Sequence, residues 1–424
     1  MGILLRVQPQ VEPFNASIPA EPQLMRLSNG AGVYLIDAGT EEVMRTDFIF
    51  RAGMITEYLP LLATTTNMML AEGTLNHNAR ELSSTLDYYG IFMNLYSEKD
   101  IAGLTLYFLN KHAVKALELA GEILFKPIFP GNELDLMMKK RLNWFRISRG
   151  KTQNLAMDNF FEAIFGKRHP YGRKVTEADF SNMNCQLLKD FHSMHYSPED
   201  MTIIVSGKIN ANITGLLEDF YGRLSSEYTY REDTGNVLSE SPDKKIRIAK
   251  RGSVQSSYRI GCRTINKRHP DYPGLKFLNT LLGGYFGSRL MKNLREEKGY
   301  TYGVHSSVSS FDLSGFMVIS TDVGRQNAEK AAGEIFSELK RLQDTPPAEE
   351  EMEVVRKYMM GEILRMFDGP FSIADSFRSV LDFGLSFDYY HRMAETIKSV
   401  TPGEITRLAN TYCKPEDMYE IKAG

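Results

Sequence analysis

Cysteine is scarce in this chain: three in 424 residues, Cys185, Cys262 and Cys413, far apart and with no CxxC pair. That spacing excludes a zinc knuckle and a disulfide framework and reads as three reduced thiols. Long apolar runs are missing as well, and no stretch approaches the ~18 residues of a membrane helix. The opening MGILLRVQPQVEPF sets only Ile3, Leu4 and Leu5 in a row before Arg6, short of the ~7–15 apolar residues of a secretory leader. A cytoplasmic protein is therefore expected. Basic excess is lacking: 50 Lys and Arg stand against 53 Asp and Glu, a formal charge of −3. With no surplus cations to displace counterions, nucleic acid is an unfavoured partner. Phosphate-binding loops are also absent. GGYFG, Gly283 to Gly287, has neither the Lys-Ser/Thr of a P-loop nor the spacing of a dinucleotide fingerprint, and reads as a turn or a flexible loop facing substrate.

What is present is a chain that says the same thing twice. YSPEDMTIIVSG is answered by YCKPEDMYEIKAG, with Pro198 and Pro415 separated by 217 residues. LAGEILFKPIF is answered by AAGEIFSELKRL, with Gly121 and Gly333 separated by 212. Two echoes at nearly equal offset point to a duplicated domain, with a period far beyond that of solenoid repeats. The expected organisation is an N-terminal domain over 1–224, a linker over 225–245 and a C-terminal domain over 246–424. The linker, SSEYTYREDTGNVLSESPDKK, is polar and without apolar periodicity. Strands are expected at AGVYLID, TDFIF, AGLTLYFL and MTIIVSG, then at KIRIAK, SSYRIG, TYGVHSSV and GFMVIST. Helices are expected at ARELSSTLDYYG, HAVKALELAGEILF and ELDLMMKKRLNWFRI, then at YPGLKFLNTLLGG, NAEKAAGEIFSELKRL and AEEEMEVVRKYMMGEILRM. Strands grouped ahead of helices favour an α+β fold. The expected architecture is two homologous domains, each a mostly antiparallel sheet packed with helices, together forming half of a clamshell.

Several stretches in this order resemble the pitrilysin-type zinc metallopeptidases. They are LSNGAGVYLIDAG, AEGTLNHNARELSSTLDYYGIFMNLYSEKDIAGLTLYFL, HPYGRKVTEADF, HYSPEDMTIIVSG and the segment Leu282 to Val304. In catalytic members the resemblance implies H-x-x-E-H on a helix, two imidazoles binding zinc and a glutamate as general base, with a later glutamate as third ligand. Aligned on Gly73-Thr74, those positions fall on Thr64, Asn67 and Met68 in TTTNM. A hydroxyl and a thioether are poor zinc ligands, and a neutral amide cannot take a proton from water. The third ligand falls near Phe145, in a window from Leu136 to Met157 without a single acid. No cofactor is expected on this chain.

The same resemblance implies an arginine and a tyrosine reaching from the second domain toward substrate, here Arg295 and Tyr302. SRLMKNLREEKG reads as a helix ending at Gly299, a favourable C′ residue. Tyr300, Tyr302 and Val304 should then share one face of the following strand. Asn94, Gly284 and Ser288 are the implied substrate-facing positions. The leading expectation is a non-metal subunit of a two-chain peptidase that acts on unfolded peptides. Its homologous partner would carry the zinc, and substrate would add to a sheet edge. A homodimer is conceivable without that partner. The alternatives are a scaffold protein of the same fold and, less favoured, an autonomous metallopeptidase with unorthodox ligands. His192 and His195 have i,i+3 spacing but no nearby acid or cysteine, and read as a metal-free helix-end pair. His77 reads as a solvated turn residue, and the 21 methionines as core filling.

Overall fold

The computed structural model describes residues 18–226 and 238–424. The opening MGILLRVQPQVEPF and the middle of the expected linker, 227–237, lie outside the described residues. The first sheet is built from β1 (Gln23–Arg26), β2 (Gly32–Asp37), β3 (Val43–Phe50), β4 (Phe92–Ser97), β5 (Ala102–Leu109) and β6 (Thr202–Gly207). Its spatial order is β1-β2-β6-β3-β5-β4. The second is built from β7 (Lys245–Ile248), β8 (Gln255–Thr264), β9 (Thr301–Ser310), β10 (Gly315–Gly324) and β11 (Tyr419–Ala423), in the order β7-β11-β8-β10-β9. Each sheet draws its strands from one side of the linker. Each has a single parallel pair, β2 with β6 and β7 with β11, and is otherwise antiparallel. Overlaying the two orders from the parallel pair outward matches β6 to β11, β3 to β8 and β4 to β9. The Pro-Glu-Asp-Met echo thus precedes equivalent strands.

The helices of the first half are α1 (Leu62–Met69), α2 (Ala79–Tyr89), α3 (Ala113–Phe125), α4 (Gly131–Arg149), α5 (Thr152–Phe165), α6 (Glu177–Ser181), α7 (Cys185–His195) and α8 (Ile213–Tyr221). Those of the second are α9 (Tyr272–Asn279), α10 (Ala328–Asp344), α11 (Glu349–Met366), α12 (Pro370–Leu381), α13 (Asp388–Ser399) and α14 (Pro402–Tyr412). Local chemistry sets several of the boundaries. Asn78 and Glu81 form a reciprocal capping box at the start of α2, which satisfies two of the orphan donors of a helix N-terminus. Glu349, Glu350 and Glu351 occupy the first turn of α11, where negative charge favours the helix dipole.

The expected helices over YPGLKFLNTLLGG and SRLMKNLREEKG are wider-wound than anticipated. The first is α9 followed by a π-helical turn, Thr280–Gly284. The core of the second is a π-helix, Met291–Glu297. Such turns carry one extra residue per ring and recur at functional sites.

Packing between the halves is reciprocal. Helix α5 of the first half lies on β8 and β11 of the second sheet. There Phe160, Ile164 and Phe165, all fully buried, meet Phe316, Tyr419 and Ile421. Helix α12 of the second half lies on β2 and β6 of the first sheet. Burying one Phe or Ile is worth ~1.5–3 kcal/mol, so the two exchanged helices fasten the halves more firmly than a linker can. Arg45 reinforces the second contact. It is itself buried, pairs with Asp47 at 2.8 Å, and reaches Asp375 of α12 at 2.7 Å and the Phe371 carbonyl at 3.3 Å.

Candidate functional site

Helix α1 carries the three positions where catalytic relatives would place metal ligands and base. Asn67 is buried and donates to the Gly103 carbonyl and the Tyr196 hydroxyl, both at 3.1 Å. It is a structural tie. Met68 is 43% exposed, so its thioether points outward. Thr64 accepts a hydrogen bond from Nη2 of Arg141 at 2.9 Å, while Nη1 of the same guanidinium donates to Thr65 at 2.6 Å. Arg141 lies on α4, one turn before Phe145, and Phe145 packs on Phe180 with ring centroids 5.1 Å apart. A fixed cation therefore sits where a cation would have to be bound. Thr64, Asn67 and Met68 do not fit zinc, and the guanidinium repels it. Among the described residues no three His, Cys, Asp or Glu side chains gather closely enough to hold a metal ion.

The histidine pair of α7 is structural. His192 Nε2–H donates to the Leu124 carbonyl, 2.7 Å away, and its ring stacks on Tyr196. His77 is half-buried, not the fully solvated turn residue expected: its Nδ1 lies 2.8 Å from the buried Glu122 carboxylate, which Thr74 also contacts. The helix-capping turn folds it inward. Burial pushes His169, His192 and His195 each down to about 4. Between that value and the ordinary ~6.5, the unfolded chain binds protons that the folded chain refuses. Stability is thus complete above about pH 6.5 and falls as pH drops toward 4. Thermal melts at pH 7 and pH 5 should show a lower Tm at pH 5, and equal values would contradict the neutral burial of these rings.

The second half presents a different surface. The π-helix Met291–Glu297 is fastened on three sides. Arg289 grips Glu351 of α11 through two bonds of 2.8 and 2.7 Å, Asn293 donates to Glu338 of α10 at 2.7 Å, and Lys298 pairs with Glu334 at 3.0 Å. Gly299 closes it at φ +63°, a left-handed conformation that costs glycine nothing. On this platform Arg295 is exposed and forms no hydrogen bond or ion pair among the described residues. Its guanidinium carbon stands 4.9 Å from the centroid of the Phe286 ring. Phe286 comes from GGYFG and is 63% exposed. Gly283 of that segment packs so closely on β9 that a Cβ would lie 2.7 Å from Ser306. The loop is thereby held on one side by the sheet.

Tyr302 stands on β9, the open edge of the second sheet, at 92% exposure, and its hydroxyl has no partner among the described residues. It does not share a face with buried Val304 as simple alternation required. Between the pairs Thr321↔Val304 and Val323↔Thr301, Tyr302 and Gly303 oppose the single residue Asp322. This is a β-bulge, which re-aims the side chain it carries. Hydroxyls pin it: Thr301 Oγ1 lies 2.8 Å from Asp322 O and 2.9 Å from Gly303 O, with one proton to give to either, and Thr321 Oγ1 lies 3.0 Å from Gly303 O. Asn94 is exposed on β4, the equivalent open edge of the first sheet. Gly284 is half-buried at the end of its π-turn. Ser288 is 1% exposed, held inside by the turn that joins the two π segments, and so is not offered to a substrate.

Sequence reasoning missed Arg141 and the bulge. Its own signal for the first was at hand: the window from Leu136 to Met157 that lacks acids holds Lys139, Lys140, Arg141, Arg146, Arg149 and Lys151. The bulge has no comparable signature beyond Gly303.

Residues 182–359 match the family model described as the peptidase M16 inactive domain. A Bacillus subtilis protein named uncharacterized zinc protease YmxG is 25% identical over 298 residues, covering 70% of this chain and 72% of its own. A second Bacillus subtilis protein, named probable inactive metalloprotease YmfF, is 22% identical over 268 residues, 62% of each chain. The crystal structure of a peptidase M16 inactive domain from Pseudomonas fluorescens superposes with a TM-score of 0.84 at 22% identity, covering 95% of this chain and 98% of that one. At that identity the likeness is one of fold.

Proposed function

We propose, for a relative of the M16 peptidases that carries their inactive domain across residues 182–359, that this chain is the non-metal subunit of a two-chain peptidase. It supplies Arg295 and Tyr302 to a zinc site on a homologous partner, and the complex acts on unfolded peptides. The single observation that carries this reading is the contrast between the halves. The α1 site is closed by the Arg141 guanidinium on Thr64, whereas Arg295 and Tyr302 stand exposed and unbonded on a braced helix and a pinned bulge.

The chemistry these two side chains offer is specific. A phenol donates one hydrogen bond to an oxygen that gains charge as a tetrahedral intermediate forms. A guanidinium holds a carbonyl or carboxylate through its fixed fork of donors. Neither activates water, so the base must come from elsewhere. The open edges β4 and β9 offer unpaired backbone groups to an extended peptide, with Asn94 beside the first. The domain division at 225–245 follows from the same reading.

Reconstitution tests it. The purified chain should hold no stoichiometric zinc and hydrolyse nothing, while a zinc-bearing homologous subunit added to it should cut unfolded peptides far faster than that subunit alone. Hydrolysis by this chain alone with one bound zinc would overturn the proposal.

A further inference from the structure

Beside the closed α1 site lies a cavity of about 640 Å³, formed where α4, α5 and the segment 171–175 meet. Its size suits a few residues of a ligand. Five cations line it: Lys99, Arg141, Arg149, Arg173 and Lys174. Two of these are neutralised, Arg173 by Glu57 at 3.2 Å and Lys174 by Glu162 at 3.0 Å. The other three form no ion pair among the described residues. Arg141 is held by threonine hydroxyls alone. Lys99 is half-buried with its Nζ 3.1 Å from the Met54 sulfur and 5.3 Å from the Phe161 ring centroid. Arg149 lies over Phe145 at 5.3 Å. Against these three stands one lining carboxylate, Asp158, so the cavity keeps an excess of two positive charges.

Such an excess costs energy unless an anion completes it. Burial disfavours the charged form of both Lys99 and Arg141, and the carboxylates near them, Glu57, Asp100 and Asp158 for Lys99 and Glu57 for Arg141, offset that only in part. The walls between the charges are Trp144, Phe145, Phe161 and Met157, apolar and partly flat. A ligand matching both features has an oxyanion at one end and an apolar body at the other.

We infer that this cavity captures the C-terminal carboxylate of a peptide, with Lys99 and Arg141 holding the carboxylate and the aromatic walls holding an apolar last side chain. The relict metal site has thereby become an anchor for a peptide end. The identity of the ligand as a peptide rests on the function proposed above, but its binding to this chain needs neither the partner nor hydrolysis.

The cavity contains its own reporter. Trp144 is the sole tryptophan of the chain and is 72% exposed at the rim. Three titrations of the full chain, followed by its fluorescence, decide the matter: an unstructured peptide ending in free leucine, the same peptide as its C-terminal amide, and inorganic phosphate. The free acid should give a saturable change. The amide should bind roughly tenfold or more weakly, the value of a hydrogen bond to a charged group. Lys99→Met, which removes no hydrogen bond to oxygen or nitrogen, should weaken the free acid by a similar factor with an unchanged melt. Equal binding of acid and amide overturns the inference. So does saturation by phosphate with no response to either peptide, or no binding at all. Because no turnover is measured, failure of the reconstitution assay leaves this result standing, and failure here leaves that assay untouched.

Discussion

Tyr302→Phe in the reconstituted complex is expected to lower kcat about 10²–10³-fold, with KM nearly unchanged. The substitution removes one oxygen from a residue already 92% exposed. Folding and edge-strand pairing therefore stay as they are, since the bulge is pinned by Thr301 and Thr321, not by the phenol. A donor that meets charge only in the transition state contributes to kcat and not to ground-state binding. One such donor is worth about 2.7–4 kcal/mol. Arg295→Ala should behave differently. Its guanidinium would hold a substrate group present in the ground state as well, so KM should rise along with any fall in kcat. Steady-state kinetics on an unfolded peptide separate the two. Turnover by the Tyr302→Phe complex at the wild-type rate would remove the tyrosine from the chemistry and leave the scaffold reading of this fold in its place.

Asp47→Ala should cost about 3–5 kcal/mol of stability, read as a lower urea midpoint. Arg45 and Asp47 are 3% and 1% exposed. Oδ1 of the carboxylate accepts from Nη2 of Arg45 at 2.8 Å and from Thr105 at 2.7 Å, and Oδ2 lies 2.8 Å from Nε of Arg45 as an ion pair. Its removal strands a guanidinium between the first sheet and α12 with Asp375, itself 61% exposed, as the remaining carboxylate. An uncompensated buried charge is expensive, whereas an exposed pair is screened by water. Lys340 and Asp344, paired at 2.8 Å with 61% and 56% exposure, are the control: Asp344→Ala should change stability by no more than about 0.5 kcal/mol. Because Arg45 also joins the two halves, Asp47→Ala should loosen them. Proteolysis of the chain should accelerate with the loss of stability.

Much of the fold was legible in single stretches. AGLTLYFL reads as a strand and is β5, and the ARELSSTLDYYG helix is α2 with its cap where Asn78 and Glu81 place it. FMNLYS escaped notice as a strand. Its burial pattern lacks a fully buried position, so apolar alternation had little to report, yet it forms the open edge that bears Asn94. Tyr302 was singled out by the resemblance, and its direction on the strand was misjudged. Alternation along β9 holds from Val304 onward and breaks at the bulge, which is a property of how β9 pairs with β10 and not of β9 alone.

The duplication, most of the long strands and the helices α2, α3, α4, α9, α10 and α11 follow from the chain read alone, and the loss of ligand chemistry at Thr64, Asn67 and Met68 follows from the resemblance, whereas α5, α7, α12, α13 and α14 went unread. The elements depend on neighbours within a turn or two, the duplication on two echoes at nearly equal offset, and the lost ligands on the bare donor chemistry of a side chain. Tertiary structure alone decided that α5 and α12 are exchanged between the sheets, that Arg141 reaches across 77 residues to close the α1 site, and that a bulge turns Tyr302 outward. These arrangements join segments remote in sequence. What selects them is burial and charge pairing between those segments, which no local pattern encodes.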